Sequence, residues 1–236
     1  MNKIKKTITL LYIIFIVVCF TSCQIKKSQN DDFVIEQEDE EVTLVKYKGK
    51  AKDVKIPKGI TIIGERAFYK CTNLKSVSIP DSVIAIEKEA FIFCKNLINI
   101  TIPHSVTYIG AGSFSSCESL VNLVIPDNIT YINQGTFAIC INLTNITISS
   151  NTKRIDSSAF VYCRSLTNFT IPDSVTYIGI GAFRECTNLI SITIPKTVTN
   201  IGHQAFGDCP NLTIYGYEGS YAEKFAYEHK IPFKAI

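Results

Sequence analysis

The sequence predicts a repeat solenoid, mainly β, wound in coils of 23 residues. Three observations carry that reading. Phenylalanine recurs at Phe68, Phe91, Phe114, Phe137, Phe160, Phe183 and Phe206. Three residues after each comes a cysteine: Cys71, Cys94, Cys117, Cys140, Cys163, Cys186 and Cys209. Three further on comes a leucine: Leu74, Leu97, Leu120, Leu143, Leu166, Leu189 and Leu212. A fixed period of roughly 20–50 residues marks a repeat architecture. A unit this short buries its apolar face only by stacking on its neighbours.

Each element of a coil follows from its residues. In the copy from Ala182-Phe183 to Pro195, Leu189, Ile192 and Ile194 give the apolar alternation of a short strand. Pro195 closes it, since proline cannot donate to a ladder. Such strands, stacked in parallel, form a concave face. Val198 and Ile201 make a second apolar group, followed by Gly202, a bend at the phase shared by Gly64, Gly110 and Gly179. Phe183 and Cys186 stand i, i+3, which a helical turn places on one side, so helical turns are expected opposite the strands. Seven coils at a spacing of about 4.8 Å give a core about 35 Å long.

The string Ala-Phe-x-x-Cys-x-x-Leu-x-x-Ile-x-Ile-Pro-x-Ser-Val-x-x-Ile-Gly, seen from Ala159-Phe160 to Gly179, resembles the BspA-like subfamily of bacterial leucine-rich repeats over about residues 53–216. Where the common leucine-rich repeat carries Asn after the strand, this chain has Ser82, Ser105, Asn128, Asn151, Ser174 and Thr197, small polar residues able to cap turn backbone groups. The resemblance implies a noncatalytic surface protein engaged in adhesion or host interaction.

The ends differ from the repeats. Residues 1–22 carry Lys3, Lys5 and Lys6, then an apolar stretch from Ile8 to Phe20. That stretch is shorter than the ~20 residues a bilayer requires, so the pattern is that of a secretory signal. Phe20-Thr21-Ser22-Cys23 resembles the lipobox of bacterial lipoproteins. The resemblance implies removal of residues 1–22, acylation of Cys23 and a lipid-anchored place in the cell envelope. An uncleaved anchor or an ordinary signal peptide stays open as the alternative. Residues 23–42 are polar and end in Glu36-Gln37-Glu38-Asp39-Glu40-Glu41, which predicts an extended acidic tether. The solenoid with its N-terminal cap is expected over 43–216, with Val42 to Lys48 in a hairpin with Ala51 to Ile56. Residues 217–236 form a C-terminal cap, a short helix with Ser220 as N-cap and Glu223 at N3.

Charge excludes one class of partner. The chain has 24 basic and 21 acidic residues, and the leader holds three lysines and no acid, leaving 21 against 21. A neutral mature chain lacks the basic face that nucleic acid requires. Catalytic signatures are missing as well. There is no Gly-x-Ser-x-Gly, phosphate loop or His-Glu-x-x-His. His104, His203 and His229 fall at unrelated phases. The cysteines of stacked coils would stay about 4.8 Å apart at Cβ, against about 3.8 Å in a disulfide. They read as free thiols packed as small hydrophobes, with no metal-ligand spacing and no cofactor.

Function is therefore sought in surfaces. The outward strand positions are Ser76, Ser78, Asn99, Thr101, Asn122, Val124, Asn145, Thr147, Asn168, Thr170, Ser191 and Thr193, an almost uncharged hydroxyl and amide face. It suits hydrogen bonding to protein backbone or glycan, and equally a plain solvent-facing sheet. Ile139, Ile141, Val161 and Tyr162 are apolar where other coils carry charge, a second candidate surface or a partly buried turn. Close by, Ser149 replaces the strand-ending proline and Lys153-Arg154 replace Thr-Tyr. The expectation is a surface-anchored binder of an extracellular or envelope protein or glycan. Self-association through the apolar patch, or a thiol-based redox role, are the alternatives.

Overall fold

The computed structural model describes residues 32–236. The leader, Cys23 and the first part of the expected tether lie outside the described residues.

The chain enters as a hairpin, β1 (Phe33–Glu38) and β2 (Glu41–Tyr47), paired antiparallel. This corrects the extended tether expected up to residue 42. Averaged composition hid a period of two. Phe33 and Ile35 point inward and are buried, and acids alternate with them on the outer side. Asp39, at φ 51°, supplies the left-handed residue of the tight turn. The partner of β2 is thus upstream. The segment expected to pair with it instead forms β3 (Asp53–Lys55), the first rung of the solenoid.

Two parallel ladders run the length of the molecule. The first has three-residue strands: β3, β5 (Ser76–Ser78), β7 (Asn99–Thr101), β9 (Asn122–Val124), β11 (Asn145–Thr147), β13 (Asn168–Thr170) and β15 (Ser191–Thr193). It ends in β17 (Thr213–Gly216) and β18 (Phe233–Ala235). The second has two-residue strands: β4 (Ile62–Ile63), β6 (Ala85–Ile86), β8 (Tyr108–Ile109), β10 (Tyr131–Ile132), β12 (Arg154–Ile155), β14 (Tyr177–Ile178) and β16 (Asn200–Ile201), with β2 as its first member. Within each run of paired strands the register is kept, Ser76 beside Asn99 and Tyr177 beside Asn200.

Opposite the strands the backbone folds as chained turns. Bonds of the i→i−3 kind close them, as from Cys71 N–H to the Phe68 carbonyl at 3.1 Å. They do not continue as helix because the residues two before and two after each Phe are left-handed, such as Arg66 (φ 56°) and Lys70 (φ 57°). A further line of inter-coil bonds runs here: Phe68 N–H donates to the Ala90 carbonyl (2.8 Å), and Phe160 N–H to Ala182 (2.7 Å). The shared phase of Gly110 and Gly179 answers to close approach. A Cβ there would lie 2.4 Å and 2.3 Å from backbone nitrogens of the preceding coil, Lys88 and Ser157.

The core is a spine of phenylalanines stacked at centroid distances from 4.8 Å (Phe68–Phe91) to 5.7 Å (Phe114–Phe137). Both ends are closed with aromatics. Tyr47 sits 5.2 Å from Phe68, backed by Phe33. Phe225, on helix α1 (Tyr221–Glu228), meets Phe206 edge-on at 5.9 Å. Ser220 Oγ accepts the Glu223 N–H, and the Glu223 carboxylate accepts the Gly219 N–H (2.7 Å), a capping box displaced by one residue. Beyond Pro232 the chain adds β18, a rung absent from the sequence reading. The core between Phe33 and Phe225 is therefore covered at both ends within residues 32–236.

Candidate binding faces

The first ladder presents the candidate hydroxyl and amide face. Ser78, Asn99, Thr101, Asn122, Asn145, Thr147, Asn168 and Thr170 are exposed, while Ser76, Ser191 and Thr193 are half-buried. Val124 is the apolar exception at 66% exposure. Strand alternation sets this, because Val77, Ile100, Leu123, Phe169 and Ile192 take the inward positions. The polar side chains pair across coils. Asn145 Nδ2 donates to Asn122 Oδ1 (2.8 Å), and Ser191 Oγ donates to Asn168 Oδ1 (2.6 Å). The Ser/Asn column after the strands caps backbone as its residue types suggested: Ser82 Oγ donates to the Ile60 carbonyl (2.7 Å) and Asn128 Nδ2 to that of His104 (2.7 Å).

Strand pairing is interrupted at two steps. It stops between β11 and β13 in the first ladder alone, and it stops between β7 and β9 and, at the same coil boundary, between β8 and β10. In neighbouring coils a backbone N–H reaches back to the previous carbonyl, as from Gly110 to Ile86 (2.7 Å) and from Asp156 to Ile132 (2.8 Å). Here the Asn133 side chain does so, Nδ2 to the Ile109 carbonyl at 2.7 Å. The turn side stays joined through Phe114 N–H to Thr136 (3.0 Å). On the strand side a cleft of about 870 Å³ spans the step, lined by Asp81, Asn99, Thr101, His104, Asn122 and Val124 among others.

The candidate apolar patch lies on the turn side. Ile139 is 38% exposed, and Ile141, Val161 and Tyr162 are half-buried. Ile139 N–H donates to the Val161 carbonyl (2.8 Å), which places these two on adjacent coils. The Arg164 guanidinium lies 5.4 Å over the Tyr162 ring. Ile139 and Tyr162 both occupy the left-handed position (φ 62°), unusual for a β-branched residue.

The thiols face inward. Cys94, Cys117, Cys140, Cys163 and Cys186 are buried, and the end members Cys71 and Cys209 are half-buried. From Cys94 onward each Sγ donates to the carbonyl of the preceding coil's Phe, at 3.1 Å to Phe68 and 3.2 Å to Phe160. Burial pushes Cys117 and Cys163 well above the ordinary thiol range and Cys140 up to about 12. Cys71 is held below its ordinary value, first by the Cys94 thiol beside it and then by Lys46, against the effect of burial. Among the described residues no three His, Cys, Asp or Glu side chains gather to hold a metal ion.

A surface the sequence reading passed over runs along the second ladder. Its outward positions read Thr43, Ile62, Ala85 and Tyr108 in register before the interrupted step, and Tyr131, Arg154, Tyr177 and Asn200 in register after it. Tyr108 and Tyr131 are 45% and 48% exposed, and Arg154 stacks over Tyr177 at 4.2 Å. The signal was present, since three tyrosines share one phase and Arg154 takes the same place in the coil between.

Comparison with known proteins agrees with this architecture. A search of curated proteins returned no match. A crystal structure of a leucine-rich repeat protein from T. pallidum is similar, with TM-score 0.58 and 26% identity over 89% of this chain and 98% of that one. A leucine-rich cell surface protein from Faecalibacterium prausnitzii A2-165 shares the fold at TM-score 0.59 and 24% identity, over 80% of this chain and 76% of that one. The model of the BspA-type leucine-rich repeat region matches residues 44–167 and 153–228 in six copies. With coils, strands and terminal helix all in that register, the chain belongs to the BspA-type leucine-rich repeat family.

Proposed function

We propose that this protein is a noncatalytic binding module held at the bacterial cell surface, with the first-ladder face as its contact surface for a protein or glycan. The observation that carries the reading is the largely exposed, almost uncharged run of Asn, Ser and Thr between Ser76 and Thr193 on the first ladder. Such a face offers donors and acceptors without the desolvation cost of charge. The interrupted step adds a concavity where Val124 supplies apolar contact. The inward thiols and the scattered histidines supply no reactive constellation.

Surface placement rests on the leader and on Cys23, whose acyl groups would anchor the chain. The F. prausnitzii protein of the same fold is a cell surface protein, in keeping with that placement. Two experiments test the reading. Residues 32–236 immobilised and exposed to matrix proteins, envelope proteins and a glycan array should capture a defined partner. Thr101→Lys with Asn122→Lys should abolish that capture while leaving the circular dichroism unchanged. Absence of capture, or capture indifferent to the two lysines, overturns it. Mass spectrometry of the mature N-terminus should find a chain that starts at acylated Cys23; an unmodified Cys23 or a chain still starting at Met1 removes the lipid anchor.

A further inference from the structure

We propose that the last coil carries a site for the free C-terminal carboxylate of a peptide whose final residue is apolar. In the six coils from Phe68 to Phe183, three backbone N–H groups donate to the coil that follows: that of the phenylalanine and those of the residues two before and two after it. Arg66, Phe68 and Lys70 reach the carbonyls of Lys88, Ala90 and Ile92 (3.2, 2.8 and 3.0 Å). Gly181, Phe183 and Glu185 reach those of His203, Ala205 and Gly207 (3.1, 2.7 and 2.9 Å). After Phe206 the chain runs into β17, α1 and β18 instead of a further coil. The N–H groups of Gln204, Phe206 and Asp208 are left without a hydrogen-bond partner among the described residues. The two ends are closed unequally. At the first coil the Tyr47 N–H takes the Ala67 carbonyl (2.8 Å). At the last, β18 pairs with β17 and Phe225 covers the Phe206 ring, but neither element brings an acceptor to this row. Folded proteins pair almost all their buried backbone donors, and Phe206 is 4% exposed.

The row opens into a cavity of about 370 Å³ beneath the end of α1. Gln204 and Asp208 are left-handed (φ 52° and 58°), and N–H groups gathered by such turns make concavities that attract anions. His229 and Lys230, which follow α1, line the same cavity. The His229 ring is held in place by stacking on Phe225 at 4.0 Å, with Nδ1 donating to the Phe225 carbonyl (2.9 Å). Lys230 is exposed and in no ion pair among the described residues. Asp208, the acid of the lining, is paired with Arg184 at 3.2 Å. In the inner coils each donor of the row meets a separate carbonyl oxygen, so the row fits successive acceptors of an extended chain better than one compact anion. Lys230 favours negative charge among those acceptors. Phe206, Leu212, Phe225 and Ile231 give an apolar wall for one side chain. A peptide ending in an apolar residue offers all three: its last amide carbonyl, its carboxylate and its side chain. Backbone N–H groups capture C-terminal carboxylates in this way as a recurring mode of peptide recognition. The cavity shares no residue with the first-ladder face, so this site and the reading of that face stand or fall separately.

Heteronuclear NMR of residues 32–236, titrated with N-acetyl-leucine, tests this. The amide signals of Gln204, Phe206 and Asp208 should move downfield and saturate with a Kd of about 1–10 mM. Those of Gly181, Phe183 and Glu185, bonded within the stack, should stay in place. N-acetyl-leucine amide, which lacks the carboxylate, should bind at least tenfold more weakly, and so should inorganic phosphate, which lacks the apolar body. Acetyl-alanyl-alanyl-leucine should bind at least as tightly as N-acetyl-leucine. K230E should weaken binding at least threefold and K230E with H229Q at least tenfold, with circular dichroism unchanged. Shifts that do not saturate by about 50 mM, equal binding of the amide or of phosphate, weaker binding of the tripeptide, or binding indifferent to K230E and H229Q overturns the proposal.

Discussion

The thiol ladder shows what one residue type does when it is locked in phase. Each inner cysteine fills a small apolar site and donates its proton to a Phe carbonyl of the coil before. Ionisation would remove that donor and leave a charge in the core. The end of the ladder is different, because Cys71 is half-buried and its thiolate is favoured. At about pH 8 a thiol reagent should therefore modify Cys71 first in folded residues 32–236, with Cys209, pushed up to about 11 mainly by burial, much slower. The five inner thiols should react only on unfolding, and fast labelling of any of them would show that the ladder opens. Ser113 is the residue whose identity the core does not reward. It is fully buried, its Oγ has no partner, and it stands where other coils carry Ala67, Ala90, Ala159, Ala182 and Ala205. Ser113→Ala should raise stability by about 1 kcal/mol, since it removes an unpaired hydroxyl at almost no cost in volume. A denaturant midpoint that falls would mean the hydroxyl has a partner that matters.

At the scale of elements, periodicity decided what was legible. The columns of Phe, Cys and Leu and the inward Ile positions all lie where a period of 23 puts them, so coils, strands and buried faces could be written down from sequence. The helix around Phe225 was legible because its cap, Ser220 and Glu223, is a local signal. Features that depend on a single residue against its coil were not. The hairpin needs only Phe33 and Ile35 as inward anchors, too few to show through a run of acids. The left-handed positions beside each Phe carry Arg, Lys, Glu, Ser and Ile as well as Gly, so residue type does not announce them. At the break between β8 and β10 the Asn133 side chain takes the Ile109 carbonyl. Asn133→Ala should cost about 1 kcal/mol by leaving that carbonyl unpaired. Amide exchange should quicken at β8 and β10 and stay unchanged at β14 and β16. Equal change at both places would make the break a property of the whole ladder.

For the whole molecule, the thiol ladder couples stability to alkaline pH. Unfolded cysteines ionise near ~8.5, whereas Cys94, Cys117, Cys140, Cys163 and Cys186 all have raised values in the fold, Cys94 first through its neighbour Cys71 and then through burial, the other four first through burial. A raised value means that the folded state keeps a proton the unfolded chain gives up. The contribution is therefore whole below about pH 8.5 and is lost as pH climbs towards the folded values. Between pH 8.5 and 9.5 each such thiol removes about 1 kcal/mol, so the five together remove about 5 kcal/mol. That is comparable with the ~5–15 kcal/mol that separates folded from unfolded chains. Urea unfolding under reducing conditions should show a midpoint that is flat from about pH 7 to 8 and falls steeply above about 8.5. Cys140→Ala should make the fall shallower by the share of one proton, which separates the ladder from tyrosines and lysines that titrate in the same range. A midpoint that holds level to about pH 10 would mean that the inner thiols ionise as readily in the coil stack as in the open chain.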